Sequence, residues 1–158
     1  MRVVCRFGSL ARAAPLALVA ATLCGSCGEK AVYYPDGVAR AEGRRTWPDR
    51  REQGFWSYAY PNGVLREQGR YEDGRRVGVW EQWYPNGRPR SRGERRYHAD
   101  TSSSEREGMW TLWHANGERA AVGAYVAGKR EGHWDFTHAD GGLDGDRTGE
   151  YHGDVRID

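Results

Sequence analysis

Cysteine is scarce in this 158-residue chain, and its three copies, Cys5, Cys24 and Cys27, all fall within the first 27 residues. Residues 28–158 therefore have neither a disulfide nor a thiolate metal site. This absence excludes the small disulfide-stabilised domains and the zinc-binding folds that depend on cysteine. Whatever stabilises the remaining chain must come from packing and hydrogen bonding.

Aliphatic side chains are also in short supply, and the mean hydropathy is −0.88. The main apolar stretch, AAPLALVAATL at 13–23, is shorter than the ~20 residues needed to cross a bilayer. No segment beyond it has the sustained period of an amphipathic helix. The chain instead contains seven Trp, nine Tyr and 22 Gly. Aromatic rings must therefore build the core that aliphatic residues would otherwise form.

The first 26 residues predict a lipoprotein signal peptide. The apolar stretch follows a positively charged start formed by Arg2, Arg6 and Arg12. It ends in LCGSC, which is similar to a bacterial lipobox except that Cys24 takes the place usually held by Leu. The resemblance implies that Cys27 is acylated and begins the mature chain, with residues 27–31 as anchor and tether. The alternative is an ordinary cleaved signal in which Cys27 has no role.

Such an anchor predicts the location of the protein. The chain would be lipid-anchored in the bacterial cell envelope, facing away from the cytoplasm. Residue 28 is Gly rather than Asp, which by resemblance to sorted lipoproteins implies the outer membrane if the cell has one.

Glycine recurs with a fixed period in the rest of the chain. One set is spaced by 24, 30 and 24 residues, and these are Gly54, Gly78, Gly108 and Gly132. A second set keeps the same intervals, as Gly63, Gly87, Gly117 and Gly141, and a third follows it by six residues, as Gly69, Gly93 and Gly123. The longer interval contains the polar segment TSSSERE, where an insertion costs little free energy. Three markers in one register indicate a repeat protein.

Each unit predicts two strands joined by a tight turn. In WYPNG, Pro85 has the φ that a type I turn requires, and Gly87 can adopt the left-handed backbone of a bulged three-residue hairpin loop. The runs between turns are short and rich in Trp, Tyr and Val, as strands are. Alternation places four Trp on one face, where stacked hairpins would align them: Trp56, Trp80, Trp110 and Trp134. We therefore predict an all-β fold, an elongated antiparallel meander of repeated hairpins with about ten strands.

These segments resemble a known family of repeats. YEDGRRVGVW (71–80) and YVAGKREGHW (125–134) look like MORN repeats, and the unit with WYPNG is closer to the MORN-variant repeats of bacterial proteins, many of them grouped with the YwqK-type antitoxins. The resemblance implies a repeat domain over 32–158, with degenerate units at both ends. Its units lie near 32–53, 54–77, 78–107, 108–131 and 132–158.

Charge is distributed unevenly along the chain. The first 26 residues hold three basic and no acidic side chains, so the rest has 21 basic and 22 acidic side chains. Residues 27–96 carry +5 and residues 97–158 carry −6. Arg88, Arg90 and Arg92 lie in the basic half and are candidate contacts for an acidic partner or for anionic headgroups. The alternative is a solvated sheet face, and an exported protein is not expected to meet nucleic acid.

No motif in the sequence predicts catalysis. No Ser lies in a nucleophile elbow, and no glycine-rich segment has phosphate-loop spacing. His133 and His138 would fall on opposite faces of one strand, which does not suit a shared metal ion. Asp140, Asp144 and Asp146 resemble a calcium loop only loosely and lack the glutamate spacing of an EF-hand, so we interpret the segment as a polar turn, with calcium as the alternative. We predict no enzyme activity, no cofactor and no metal site.

The favoured function is binding of a protein partner. Trp83 and Trp113 stand among polar neighbours in consecutive units, on the face opposite the four aligned Trp, and aromatic side chains of this kind mark recognition surfaces. Coverage of the two indoles by the chain itself is the alternative. Two other functions stay open: an antitoxin or immunity role, which only the family resemblance implies, and binding of lipid or envelope polysaccharide through the arginines or the Trp pair.

Overall fold

The computed structural model describes residues 29–46 and 48–158, which form one open antiparallel sheet. Each strand pairs with its neighbours in chain order, which confirms the predicted all-β meander, with eleven strands where we expected about ten. The strands are β1 (Glu29–Tyr33), β2 (Ala39–Arg45), β3 (Glu52–Ala59), β4 (Leu65–Glu72), β5 (Arg75–Trp83), β6 (Pro89–His98), β7 (Ser103–Trp113), β8 (Arg119–Val126), β9 (Lys129–Phe136), β10 (Gly149–His152) and β11 (Val155–Arg156).

The N-terminal part of the predicted domain layout lies only partly within the described residues. The predicted anchor and tether span residues 27–31, and β1 begins within this range at Glu29. The predicted signal peptide and Cys27 lie outside the described residues. Within the part of the chain that the structure describes, no helix is long and apolar enough to span a membrane.

The tight turns have the geometry that the sequence predicts. The amide of Gly87 donates to the carbonyl of Tyr84 at 2.9 Å, and the amide of Tyr84 donates to the carbonyl of Arg88 at 2.8 Å. Gly87 has a φ of 82°, a left-handed conformation that glycine adopts without steric cost. The same pair of bonds closes the turns after Tyr34, Tyr60, His114 and His138.

Neighbouring turns are also bonded to one another. The hydroxyl of Tyr60 donates to the carbonyl of Trp83 at 2.9 Å, and the hydroxyl of Tyr84 donates to that of Trp113 at 2.8 Å. Nε2 of His114 lies 2.7 Å from the carbonyl of Thr137, so the histidine replaces a tyrosine in this column. Each bond therefore joins one turn to the following unit.

Asparagine forms a second column in the turns. Nδ2 of Asn62 donates to the carbonyl of Pro85 at 2.9 Å, and Nδ2 of Asn86 donates to that of Ala115 at 2.8 Å. Asn116 makes the equivalent bond to Ala139. The side-chain oxygen of each asparagine meanwhile accepts the amide two residues further on, so one side chain closes its own turn and binds the next.

The third set of glycines explains how the large rings fit into a single sheet. We call the face that carries the four aligned Trp the ring face. The indole of Trp110 lies directly on Gly93 of the neighbouring strand, and a Cβ atom there would overlap the ring. Gly43, Gly69 and Gly123 lie in the same way beneath Trp56, Trp80 and Trp134. These four indoles are the largest fully buried side chains among the described residues.

Candidate functional site

The buried rings form a ladder along the ring face that is interrupted once. Tyr71 contacts Trp56 and Trp80 edge-on, with centroid distances of 6.2 and 5.1 Å. Tyr125 joins Trp110 to Trp134 in the same way, at 6.2 and 4.9 Å. No ring contact among the described residues joins Trp80 to Trp110, and the buried core accordingly forms two separate clusters.

The interruption falls at Arg95. The position two residues after each glycine of the third set is occupied by Tyr71, Arg95 and Tyr125. Arg95 pairs with Gly78 of β5 on one side and with Arg106 of β7 on the other, as Tyr71 pairs with Gly54 and Arg76. A guanidinium group therefore lies where the units on either side place the rings of Tyr71 and Tyr125.

Arginine side chains cover the rings on this face. The guanidinium carbon of Arg76 lies 4.3 Å from the ring centroid of Trp80, and that of Arg106 lies 4.6 Å from that of Trp110. Arg130 and Arg147 lie 4.3 and 4.2 Å from the rings of Tyr151 and Phe136. The long stems bury apolar surface while the cations interact with the π-faces, so arginines take the place of a second layer of secondary structure.

Carboxylates neutralise two arginines in the N-terminal half of the sheet, Arg76 and Arg45. Glu67 is buried, and its two oxygens accept from Arg76 at 3.1 and 3.2 Å, while Gln82 donates to it at 3.2 Å. Arg45, which stands at the position equivalent to Arg95, forms an ion pair with Glu52 at 3.0 Å. Both pairs link opposite charges on adjacent strands.

Arg95 and Arg106 differ, because both members of this cross-strand pair are cations. One nitrogen of Arg95 donates to the carbonyl of Ser104 at 2.9 Å, and Arg106 donates to the hydroxyl of Tyr125 at 2.8 Å. Nε of Arg95 is buried without a hydrogen-bond partner in the described chain. Burial, followed by the charges of Arg76 and Arg106, lowers the pKa of Arg95. The two side chains line an open cleft of about 500 Å³.

Of the residues that the sequence singled out, Trp113 and Arg90 come together. Both line a hollow of about 260 Å³, with Tyr84, Leu112 and His114. The hollow lies on the ring face, whereas alternation assigns the Trp113 side chain to the opposite face. Trp113 contacts Tyr84 through its carbonyl, which accepts from the tyrosine hydroxyl at 2.8 Å. The guanidinium carbon of Arg90 lies 5.7 Å from the ring centroid of Tyr84. Arg106 lines this hollow as well as the cleft, so the two depressions adjoin.

The other candidates lie apart from this hollow. Trp83 is partly exposed like Trp113 but is not among the lining residues. Arg92 pairs with Glu81 at 3.5 Å, and Arg88 lies against the turn glycine Gly117. The arginine-rich segment therefore does not form one basic patch.

The acidic and histidine side chains near the C-terminal end have separate partners. Asp140 accepts the amide of Gly142 at 2.9 Å, and Asp144 accepts that of Arg147 at 3.2 Å. His133 lies between Asp135 and Glu150, at 3.2 and 3.1 Å. Across residues 29–46 and 48–158, no three such side chains are placed to hold a metal ion.

Sequence reasoning missed Arg95 and Arg106. The signal was present, because aligning the residue two positions after each glycine of the third set sets Arg95 against Tyr71 and Tyr125. That Arg106 faces it follows from the register of β6 and β7, which a bulge in β7 shifts and which the repeat period alone does not fix.

Comparison with known proteins supports the repeat reading. The profile of the MORN repeat variant matches residues 76–97, and no curated protein matches the chain. Among solved structures, the chain is similar to one in the crystal structure of the GtfA/B complex bound to UDP and GlcNAc, with 15% identity over 82% of this chain, 25% of that chain and a TM-score of 0.26. The profile match and the all-strand meander together fit a MORN-repeat protein.

Proposed function

We propose that the chain is a non-catalytic repeat module that binds a protein partner at the cell envelope, where acylated Cys27 holds it. The observation that carries the binding role is the hollow lined by Trp113, Tyr84, Leu112 and Arg90. Trp, Tyr and Arg are the residues that contribute most to binding when a partner excludes water from them. An array of repeats also offers a long surface for such contacts. The antitoxin alternative rests on family resemblance alone.

Capture of the partner tests this role, and the repeat provides the control. The tagged chain is purified from membranes in mild detergent, and co-purifying proteins are quantified by mass spectrometry. Trp113→Ala should release a specific partner, because Trp113 is among the residues that line the hollow and aromatic residues contribute strongly to binding. Trp83→Ala changes the equivalent residue of the preceding unit outside the hollow and should retain the partner. Equal recovery with Trp113→Ala and the parent chain would contradict the role of the hollow.

The anchor is tested separately by fractionation. Cys27→Ser should leave uncleaved precursor or move the chain out of the membrane fraction, because no thiol remains for acylation. Cys24→Leu restores the residue usual at that position and should be processed at least as well as the parent. A Cys27→Ser chain that fractionates and migrates like the parent would show that the leader is not a lipoprotein signal.

A further inference from the structure

We propose that Arg95 and Arg106 form a carboxylate-binding pair that receives an acidic side chain from the protein partner. The proposal rests on the proposed function, since it names the chemistry by which that partner is recognised. Two like charges on adjacent strands destabilise each other. The sheet contains such a pair here, whereas each equivalent pair joins either opposite charges or an arginine and a tyrosine. The partner's carboxylate would supply the negative charge that this pair lacks.

Comparison within the repeat shows what is missing. Arg45 faces Glu52, Tyr71 faces Arg76 and Tyr125 faces Arg130. The first pair is an ion pair at 3.0 Å, and in the second Arg76 donates to the hydroxyl of Tyr71 at 3.1 Å. Arg95 faces Arg106.

The carboxylates of the chain near this pair are already engaged. Glu67 accepts from Arg76 and Gln82. Glu105 and Asp154 line the cleft, but Glu105 accepts from the hydroxyl of Ser103 at 2.7 Å and Asp154 is bound to Arg130 at 3.1 Å. The described residues therefore leave the positive charge of the pair to an external group.

The geometry favours a carboxylate presented by a peptide. Guanidinium groups bind carboxylates through paired, charge-assisted hydrogen bonds, and the partly buried position strengthens them relative to bonds in bulk water. Arg106 borders both the cleft and the hollow with Trp113, so a segment seated in the hollow could extend an acidic side chain into the cleft. The ring ladder lacks a tyrosine at this position. A residue that breaks the packing pattern of its own fold is expected at a functional site.

A labelled hexaglutamate peptide is the probe, with hexaglutamine as its uncharged counterpart. Fluorescence anisotropy with the purified full chain at about 0.15 M salt should show binding of hexaglutamate alone. Arg95→Gln and Arg106→Gln should each weaken binding about tenfold by removing charged hydrogen bonds. Arg92→Gln makes the same charge change on the same strand, at an arginine already paired with Glu81, and should leave the affinity unchanged. Equal weakening by Arg92→Gln, or no binding by the parent chain, would overturn the proposal.

A second variant separates recognition from folding. Arg95→Tyr introduces the residue found at the equivalent positions Tyr71 and Tyr125, so it should raise the Tm while abolishing hexaglutamate binding. A lower Tm or retained binding would contradict the assignment. Vesicles of phosphatidylglycerol that bind the chain through Arg95 while hexaglutamate does not would assign the pair to a lipid headgroup and overturn the peptide. If Arg95→Tyr still captures the Trp113-dependent partner, the carboxylate proposal fails and the binding module stands.

Discussion

At the scale of single residues, the approach of two strands depends on the glycine beneath each tryptophan. Gly93 has no side chain between its backbone and the indole of Trp110, which is 2% exposed. The contact lets a single sheet bury its largest rings without a second layer of backbone. The requirement is steric, because Gly93 and its equivalents Gly43, Gly69 and Gly123 do not have left-handed backbone conformations.

Gly93→Ala should therefore destabilise the fold strongly. The methyl group would overlap the Trp110 ring, and overpacking of this kind costs about 1–3 kcal/mol. Urea unfolding followed by tryptophan fluorescence measures the change. Gly145→Ala is the control, since a Cβ there meets no atom within 4 Å, and its stability should match the parent. Equal stability of Gly93→Ala and the parent would mean that the indole can move aside.

His133 should make the stability of the fold depend on pH. Hydrogen bonds to Glu150 and then to Asp135 raise the pKa of His133. A raised pKa means that the stabilisation is fully present below the unfolded value of about 6.5 and is lost as the pH rises through the folded value. His133→Gln should accordingly lower the Tm slightly at about pH 5.5 and leave it unchanged at about pH 9. High salt should reduce the difference because the group is exposed, and a difference confined to high pH would contradict the assignment.

At the scale of elements, side-chain hydrogen bonds hold the tight turns and join one to the next. Asn86 accepts the amide of Arg88 at 3.0 Å within its own turn and donates to Ala115 of the next turn at 2.8 Å. Asp36 and Asp140 occupy the equivalent position in the first and last of these turns. An aspartate closes its own turn equally well, but it has no N–H with which to bind the next one.

Exchanging the two residue types tests this division. Asn86→Asp keeps the acceptor and removes the donor, so it should lower stability by about 1 kcal/mol. Asp36→Asn adds a donor facing the following turn and should raise stability by roughly half as much. Thermal unfolding of both variants measures the changes, with Asp140→Asn as a neutral control. Stabilisation by Asn86→Asp, or destabilisation by Asp36→Asn, would contradict the role given to the asparagine donors.

The elements were largely predictable and the site was not. Pro85 and Gly87 specify a turn through their own backbone preferences, and alternation places Trp80 and Trp110 on one face whatever the pairing partners are. Arg90 could not be placed in this way, because a bulge leaves it without a partner opposite Gln82 and Trp83 and it contacts Tyr84 on the ring face. The facing of Arg95 and Arg106 likewise depends on a register that bulges change.

At the scale of the whole molecule, the core is divided at β6. Trp56, Tyr71 and Trp80 belong to one buried cluster, and Trp110 and Trp134 belong to the other. In a linear array, units are coupled only through their neighbours. The interruption of the buried rings at one strand therefore predicts that the array unfolds as two cooperative blocks.

Urea unfolding of the parent chain should consequently show two transitions, with the smaller N-terminal cluster unfolding first. Deleting residues 78–107 joins Val77 to Gly108 and removes one unit together with Arg95. Tyr71 would then contact the ring of Trp110 as it now contacts that of Trp80, so the shorter chain should unfold in a single transition. Tryptophan fluorescence and circular dichroism report both blocks. A single transition in the parent chain would mean that the interruption does not divide the core.

The bonds between turns all point the same way along the chain. Tyr60, Tyr84 and His114 each bind a carbonyl of the unit that follows, and the asparagines do likewise. An internal unit copied in tandem by recombination would arrive with its donors facing acceptors of the same kind. A copy placed after the turn at 138–141 would meet Asp140, which already binds the amide of Gly142 and has no donor to offer. Duplication of an internal unit therefore preserves the hydrogen bonds between turns, whereas a copy added after that turn does not. Homologous proteins should accordingly differ in their number of internal units and keep an aspartate in the last of these turns.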